Sequence, residues 1–332
     1  MFIVNSYILA VVLCFVTMIC WGSWGNTQKL AAKNWRYEFF YWDYVIGILL
    51  FSVFMAYTFG SFGEVGHSFC ENVRQVSVAA FVSAIIGGII FNASNILLSA
   101  SISLSGMSVA FPVGVGLALV LGVTINYFGQ PKGNAWLLFI GVALIMVAII
   151  VNGIASGRQQ KGGGTARKGI VLAIVAGVLM SFFYRFVAVA MDLNNFENPE
   201  VGKATPYTAF VIFALGIFLS NFLFNTLAMK HPFVGLPVSY RSYFAAPIKV
   251  HSVGFLGGVI WGLGTILSYL AAGKAGAAIS YALGQGAPMI AAFWGVFVWK
   301  EFKGADRISK MMLTMMFACF LIGLGIIVGA GK

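Results

Sequence analysis

The sequence predicts an all-α integral membrane protein, ten transmembrane helices arranged as two inverted repeats of five. Three observations carry this expectation. Of 332 residues, 60% are apolar and only 9% charged, with a mean hydropathy of +0.94, whereas charged residues make up roughly a quarter of a soluble domain. No water-facing surface can be built from that composition. Apolar runs long enough to cross a hydrocarbon core of about 30 Å, roughly 20 helical residues each, occur ten times. The two halves also share a motif at constant spacing.

The spans are expected at 4–26, 38–60, 76–99, 104–128, 134–154, 169–191, 206–229, 252–272, 276–299 and 309–330. The first run lacks a basic flank and a small-residue cleavage motif, so it reads as a span and not as a removable signal peptide. The net charge of +11 does not point to a nucleic-acid partner, because the basic residues sit in short clusters between apolar runs. That is loop charge on a membrane protein. Cys14, Cys20, Cys70 and Cys319 are scattered without the spacing of a zinc site or a disulfide framework.

Sorting loop Lys and Arg by side gives Lys29, Lys33, Arg36, Arg158, Lys161, Arg167, Lys168, Lys230, Arg241, Lys249, Lys300, Lys303, Arg307 and Lys310 on one side. Arg74, Lys132, Lys203, Lys274 and Lys332 fall on the other, a bias of fourteen against five. Basic loops resist translocation, so with ten spans both termini are expected outside the cytoplasm, in a plasma or inner membrane.

The repeat has an offset of 170. Gly87-Gly88-Ile89-Ile90 recurs as Gly257-Gly258-Val259-Ile260, Ile96-Leu97 as Ile266-Leu267, Gly106 as Gly276, and Gly114-Val115-Gly116 as Gly284-Gln285-Gly286. An odd number of spans per repeat inverts the second copy, an architecture of many secondary transporters. The expected division is 1–156 for the first five-helix repeat, 157–168 for a Gly-rich, basic cytoplasmic linker and 169–332 for the second. The linker lacks the spacing of a phosphate-binding loop, and no cofactor is expected.

Polar side chains inside spans are the natural candidates for a solute path. Asp43, near the start of the second span, could exchange a proton in a desolvated setting; the alternative is an interfacial carboxylate paired with Lys33 or Arg36. Arg185 is the one basic residue deep in a span and calls for a cavity or a carboxylate, with Asp43 as one candidate partner. The tract Asn92-Ala93-Ser94-Asn95 offers amides and a hydroxyl, Asn95 being the candidate solute contact and interhelical bonding the competing role. Glycines around Val115 and Gln285, each with a proline nearby, are expected to loosen their spans and expose backbone to a midplane site. There Gln285 could read an amide or hydroxyl pattern. Trp21, Trp24, Tyr184, Trp261, Tyr281 and Trp294 could stack on a planar or sugar ring, although lipid and interface anchoring is the usual work of membrane aromatics. His67, His231 and His251 show no metal-ligand spacing, and no nucleophile with its base stands in motif order. A small-molecule carrier is therefore expected, not an enzyme.

At these residues the chain resembles the ureide permeases of the drug/metabolite transporter superfamily. The resemblance runs over Trp24, Tyr41-Trp42-Asp43-Tyr44 (with Trp42 where the family's Leu-Asp-Tyr motif has leucine), Gly87-Gly88, Asn95, Gly106-Met107-Ser108-Val109 and Gly122 to Phe128. It continues, more weakly, at Tyr207-Thr208-Ala209-Phe210. Its most specific part is Ala271-Ala272-Gly273, Gln285, Pro288, Phe293-Trp294-Gly295-Val296 and Glu301. The resemblance implies proton-coupled uptake of nitrogen-rich neutral heterocycles such as allantoin and pyrimidine bases; the reading of the residues themselves adds Asp43 as the proton-coupling carboxylate and Asn95, Gln285, Arg185, Trp261, Tyr184 and Tyr281 as substrate contacts. Two features depart from it: the short central linker, and Arg185 where a small or apolar residue is expected. The glucose, ribose and rhamnose porters share the architecture, so a sugar is the nearest alternative and export of drugs or metabolites a further one. Expected partners are the solute, the proton and the bilayer; a homodimer is compatible with the sequence.

Overall fold

The computed structural model describes residues 1–31, 35–63, 65–159 and 164–331. The helices are α1 (Tyr7–Ala31), α2 (Tyr37–Tyr57), α3 (Phe69–Gln75), α4 (Val78–Ser105), α5 (Met107–Gly129), α6 (Ala135–Gln159), α7 (Gly164–Ala190), α8 (Pro206–Lys230), α9 (Tyr240–Phe244), α10 (Ile248–Ala275), α11 (Ala277–Gly284), α12 (Ala287–Phe293) and α13 (Arg307–Ala330), with a π-helical turn over Trp294–Val298. Ten segments are long and apolar enough to cross a membrane, α11, α12 and the π turn together forming the ninth. The short α3 and α9 lie between spans. Residues 160–163 of the expected linker, like Lys33, lie outside the described residues.

Helix ends follow the local chemistry. Ser68 forms a capping box with Glu71, Ser77 and Thr205 cap α4 and α8, and Asp306 caps α13, each satisfying N–H groups that a helix start leaves unpaired. Gly106 and Gly276 end α4 and α10 with nearly the same backbone geometry, φ 78° and 83°, a left-handed turn that glycine adopts without Cβ strain.

Charged loops gather on two faces. Lys29 pairs with Glu301, Arg158 with Asp306 at 2.8 Å, Arg36 bonds the carbonyls of Val234 and Leu236, and Lys168 that of Phe233. These four unite the loops of the heavily basic set. On the opposite face the N-terminal ammonium donates to Val65 O, Asn134 N to Ala330 O and Lys132 to Gly273 O. This second face carries both ends of the chain and is called the terminal face below.

Packing repeats at the sequence offset. A Cβ on Gly88 would stand 2.9 Å from Ile217 N and 3.0 Å from the Gly216 Cα; one on Gly258 would stand 2.8 Å from Ile48 N and 3.0 Å from the Gly47 Cα. Thus α4 on α8 and α10 on α2 meet backbone to backbone, the close approach small residues permit in membranes. At the centre Phe91 and Trp261, also 170 apart, face one another with ring centroids 4.3 Å apart.

The glycines of the fourth span do not loosen it, contrary to expectation: α5 is continuous through Gly114 and Gly116. Gly116 admits the Ile149 side chain, and Gly114 lies against α7, where a Gly177 Cβ would reach Gly114 C at 3.2 Å. The ninth span does break, between Gly284 and Ala287, at Gln285-Gly286.

Candidate functional site

Midway along the spans, α1, α4, α5, α7, α10 and the broken ninth span meet around a cavity of about 30 Å³, lined by Trp21, Phe91, Asn95, Trp261 and Gln285 among others. That is room for about two waters, so the walls must part to admit a solute. The aromatic walls stack on one another: Trp21 and Trp261 are nearly parallel at 6.1 Å, and Phe213 lies behind Trp261 at 6.1 Å. Trp21 Nε1 is held by the Thr265 hydroxyl at 3.2 Å.

The polar tract of α4 divides in two. Asn92 accepts from Tyr41 OH at 3.0 Å and donates to Ser220 Oγ at 2.9 Å, and Ser94 donates to Ala176 O at 2.7 Å; these side chains tie helices together. Asn95, 1% exposed, has an Nδ2 with no hydrogen-bond partner among the described residues. A buried amide left unpaired costs free energy that a bound solute can recover. Gln285 reaches the same cavity because the break places it at the junction of α11 and α12.

Of the expected solute contacts, the structure brings Asn95, Gln285 and Trp261 together and sets the others apart. Tyr184 lies one layer deeper, its hydroxyl 3.0 Å from Ser268 Oγ and 3.4 Å from Ser280 Oγ. The Tyr281 hydroxyl donates to Ala118 O at 3.2 Å. With Tyr269, 5.5 Å from Tyr184, they form a packed floor on the terminal-face side of the cavity. A phenol hydroxyl in apolar surroundings needs a partner; protein atoms supply it for Tyr184 and Tyr281, while the Tyr269 hydroxyl has none among the described residues.

Arg185 neither lines the cavity nor meets Asp43. Its guanidinium lies over the last residue of α5, Nη1 2.7 Å from where a Gly129 Cβ would stand. A cation beside unpaired carbonyls at a helix C-terminus is favourably placed, and position 185 lies near the terminal-face end of α7. Asp43 lies at the opposite end of the bundle.

Asp43 is 3% exposed and accepts from Trp35 Nε1 at 2.8 Å and from Tyr243 OH at 2.6 Å. His251 Nδ1 stands 2.7 Å from the same oxygen as Tyr243. Arg36 is not its partner: that guanidinium holds Glu38 at 2.5 Å. Sequence reading missed His251, Tyr243 and Trp35 because they come from three elements, up to 208 residues away, with no local spacing to connect them. Asp43 and the central cavity are separate sites.

The ureide permease family model matches residues 40–162 and 160–330. The chain belongs to the ureide permease family. It is 23% identical to ureide permease 1 of Arabidopsis thaliana over 99% of both chains, and 24% identical to ureide permease 2 of the same plant with the same coverage. A probable glucose uptake protein of Bacillus anthracis is 23% identical over 70% of this chain and 73% of its own. A solved crystal structure at 15% identity superposes with a TM-score of 0.61 over 96% of this chain and 97% of the other, a likeness of fold. Membership of a permease family makes this multi-pass membrane protein a transporter and not an enzyme.

Proposed function

We propose that the protein takes up a ureide or a related nitrogen-rich neutral heterocycle, such as a nucleobase, across the cell membrane by proton-coupled alternating access between two inverted halves. The observation that carries the substrate class is the Asn95 amide nitrogen, unpaired among the described residues, on a cavity that Trp21, Phe91 and Trp261 also line. Flat faces suit a planar ring, and the amides of Asn95 and Gln285 on one cavity suit the alternating N–H and C=O edge of a ureide or base. The names of the relatives add weight to this class; those of the glucose uptake type keep a sugar as the second reading. The inverted relation of the halves draws support from the Gly88 and Gly258 contacts. The basic face is assigned to the cytoplasm by its charge.

Asp43 is assigned the coupling role, with His251 as its proton-sharing neighbour. The support is a membrane-buried carboxylate whose donors are a phenol, an indole and an imidazole, with no permanent cation among them. Reconstituted vesicles under an inward proton gradient test both parts. Accumulation of allantoin or uracil is expected. If neither they nor a panel of monosaccharides accumulates, the uptake reading is wrong. Asp43→Asn should abolish uphill accumulation and leave exchange of internal for external solute; unchanged concentrative uptake would remove Asp43 from coupling.

A further inference from the structure

Between the central cavity and the basic face lies a second, narrow space of about 20 Å³. Phe111 lines both. Its polar lining comes from α6 and from the segment after α12. Asn152 and Ser156, spaced one helical turn apart on α6, are both buried, Ser156 at 2% exposure, and Ser156 Oγ has no hydrogen-bond partner among the described residues.

Glu301 forms the opposite wall. The π-helical turn over Trp294–Val298 and the left-handed backbone of Lys300, φ 54°, bend the chain so that Glu301 N donates to Gly295 O at 2.9 Å. The carboxylate then rests over Gly295, Oε2 2.8 Å from where a Cβ would stand, so a side chain there would push the carboxylate aside. Its other oxygen is held by Lys29, whose ammonium also lies 4.5 Å over the Trp299 ring, and Trp299 is fixed by Asn26 at 2.6 Å. Lys29, Glu301 and Trp299 thus form a lid tying α1 to the end of the ninth span.

We propose that this space is a second solute station on the path from the central cavity to the basic face, closed by the Lys29–Glu301 pair. This rests on the transport reading above. The donor set defines the ligand. A carboxylate and an unpaired hydroxyl accept N–H groups, the Asn152 amide matches a carbonyl, and the lysine beside the carboxylate removes any preference for a charged solute. A neutral molecule with adjacent N–H donors, a ureido or cyclic amide compound, matches these groups in chemistry and takes its place once the pair parts and the space widens.

The test uses the full chain in nanodiscs, with exposed Cys70 changed to serine. The alkylation rate of Ser156→Cys by a bulky polar maleimide is measured with and without the lid, opened by Glu301→Gln or, as a milder second variant, Lys29→Ala. Opening is expected to raise the rate about fivefold, equivalent to roughly 1 kcal/mol, and saturating allantoin to slow it again. Equal rates with and without the ion pair would overturn the closure. Allantoin protecting Val115→Cys in the central cavity but not Ser156→Cys would overturn the second station. Allantoin protecting neither thiol would instead refute the ureide reading and the ligand class with it, leaving the closure to be judged by the rates alone.

Discussion

Asn95→Leu should move stability and solute affinity in opposite directions. Leucine shares asparagine's branching and heavy-atom count, and the position is 1% exposed, so the substitution replaces an unpaired amide nitrogen with carbon in a similar outline with bulkier ends. A buried polar group without a partner costs about 1–3 kcal/mol. Removing it should therefore stabilise the solute-free protein by an amount of that order, seen as a rise of a few degrees in thermal unfolding of the detergent-solubilised chain. With solute bound, leucine leaves the solute's own acceptor unpaired, a loss of similar size. About 1–3 kcal/mol corresponds to roughly a five- to 150-fold weaker Kd. Equilibrium binding of labelled allantoin and uracil measures it, alongside solute-induced thermal shifts. A Tm that falls, with solute affinity unchanged, would refute the reasoning: Asn95 would then bond other helices as Asn92 does.

Three further predictions follow from the packing and the loops. Gly88→Ala and Gly258→Ala place a methyl group against backbone that cannot swing aside, so each should destabilise by about 1–3 kcal/mol. Gly325→Ala, which meets nothing within 4 Å, should have almost no effect; equal Tm values for the three would refute the dovetailed contact. Arg185→Ala should lower thermal stability by about 0.3–1 kcal/mol through loss of its place at the α5 C-terminus and leave the KM for allantoin unchanged. A large rise in KM would return the guanidinium to the solute path. Asp306, with the Ser309 side chain beside it and bonded by the Ser309 backbone N–H and by Arg158, has its carboxyl pushed down to about 2. A lowered folded pKa stabilises above the ordinary aspartate value of about 3.9, and the contribution fades as pH falls from there through about 2. Hydrogen exchange of the first turn of α13 should therefore stay slow at pH 4 and quicken toward pH 2; exchange that quickens already between pH 6 and 5 would contradict the cap.

The spans were legible to within a few residues because a bilayer imposes a length on every apolar run. The offset of 170 was legible because backbone contact at Gly88 and Gly258 tolerates no larger side chain. What composition could not supply was which polar atoms are already satisfied. Asn92, Ser94 and Asn95 look alike in sequence, and only the well-formed bonds of the first two, with Tyr41, Ser220 and the Ala176 carbonyl, set them apart from the third. Likewise α5 and the ninth span carry glycines in the same register. Gly114 and Gly116 meet neighbouring helices and stay helical, while Gln285-Gly286 stands where the helix breaks. Arg185 misled for a related reason: a helix terminus can serve a cation as well as a carboxylate does, and it leaves no mark at a readable spacing.

The dovetails at Gly88 and Gly258 join helices across the chain's midpoint. α4 and α5, from before the linker, pack with α7 and α8 from after it, while α1 and α2 pack with α10, α11 and α12. Neither half of the gene product therefore encloses its own set of neighbours. A ribosome that has delivered residues up to the linker has made five helices whose principal contacts are still unsynthesised, and these must wait in lipid for the second half. Two separately expressed halves should behave as complementary fragments, each short-lived alone and stable together.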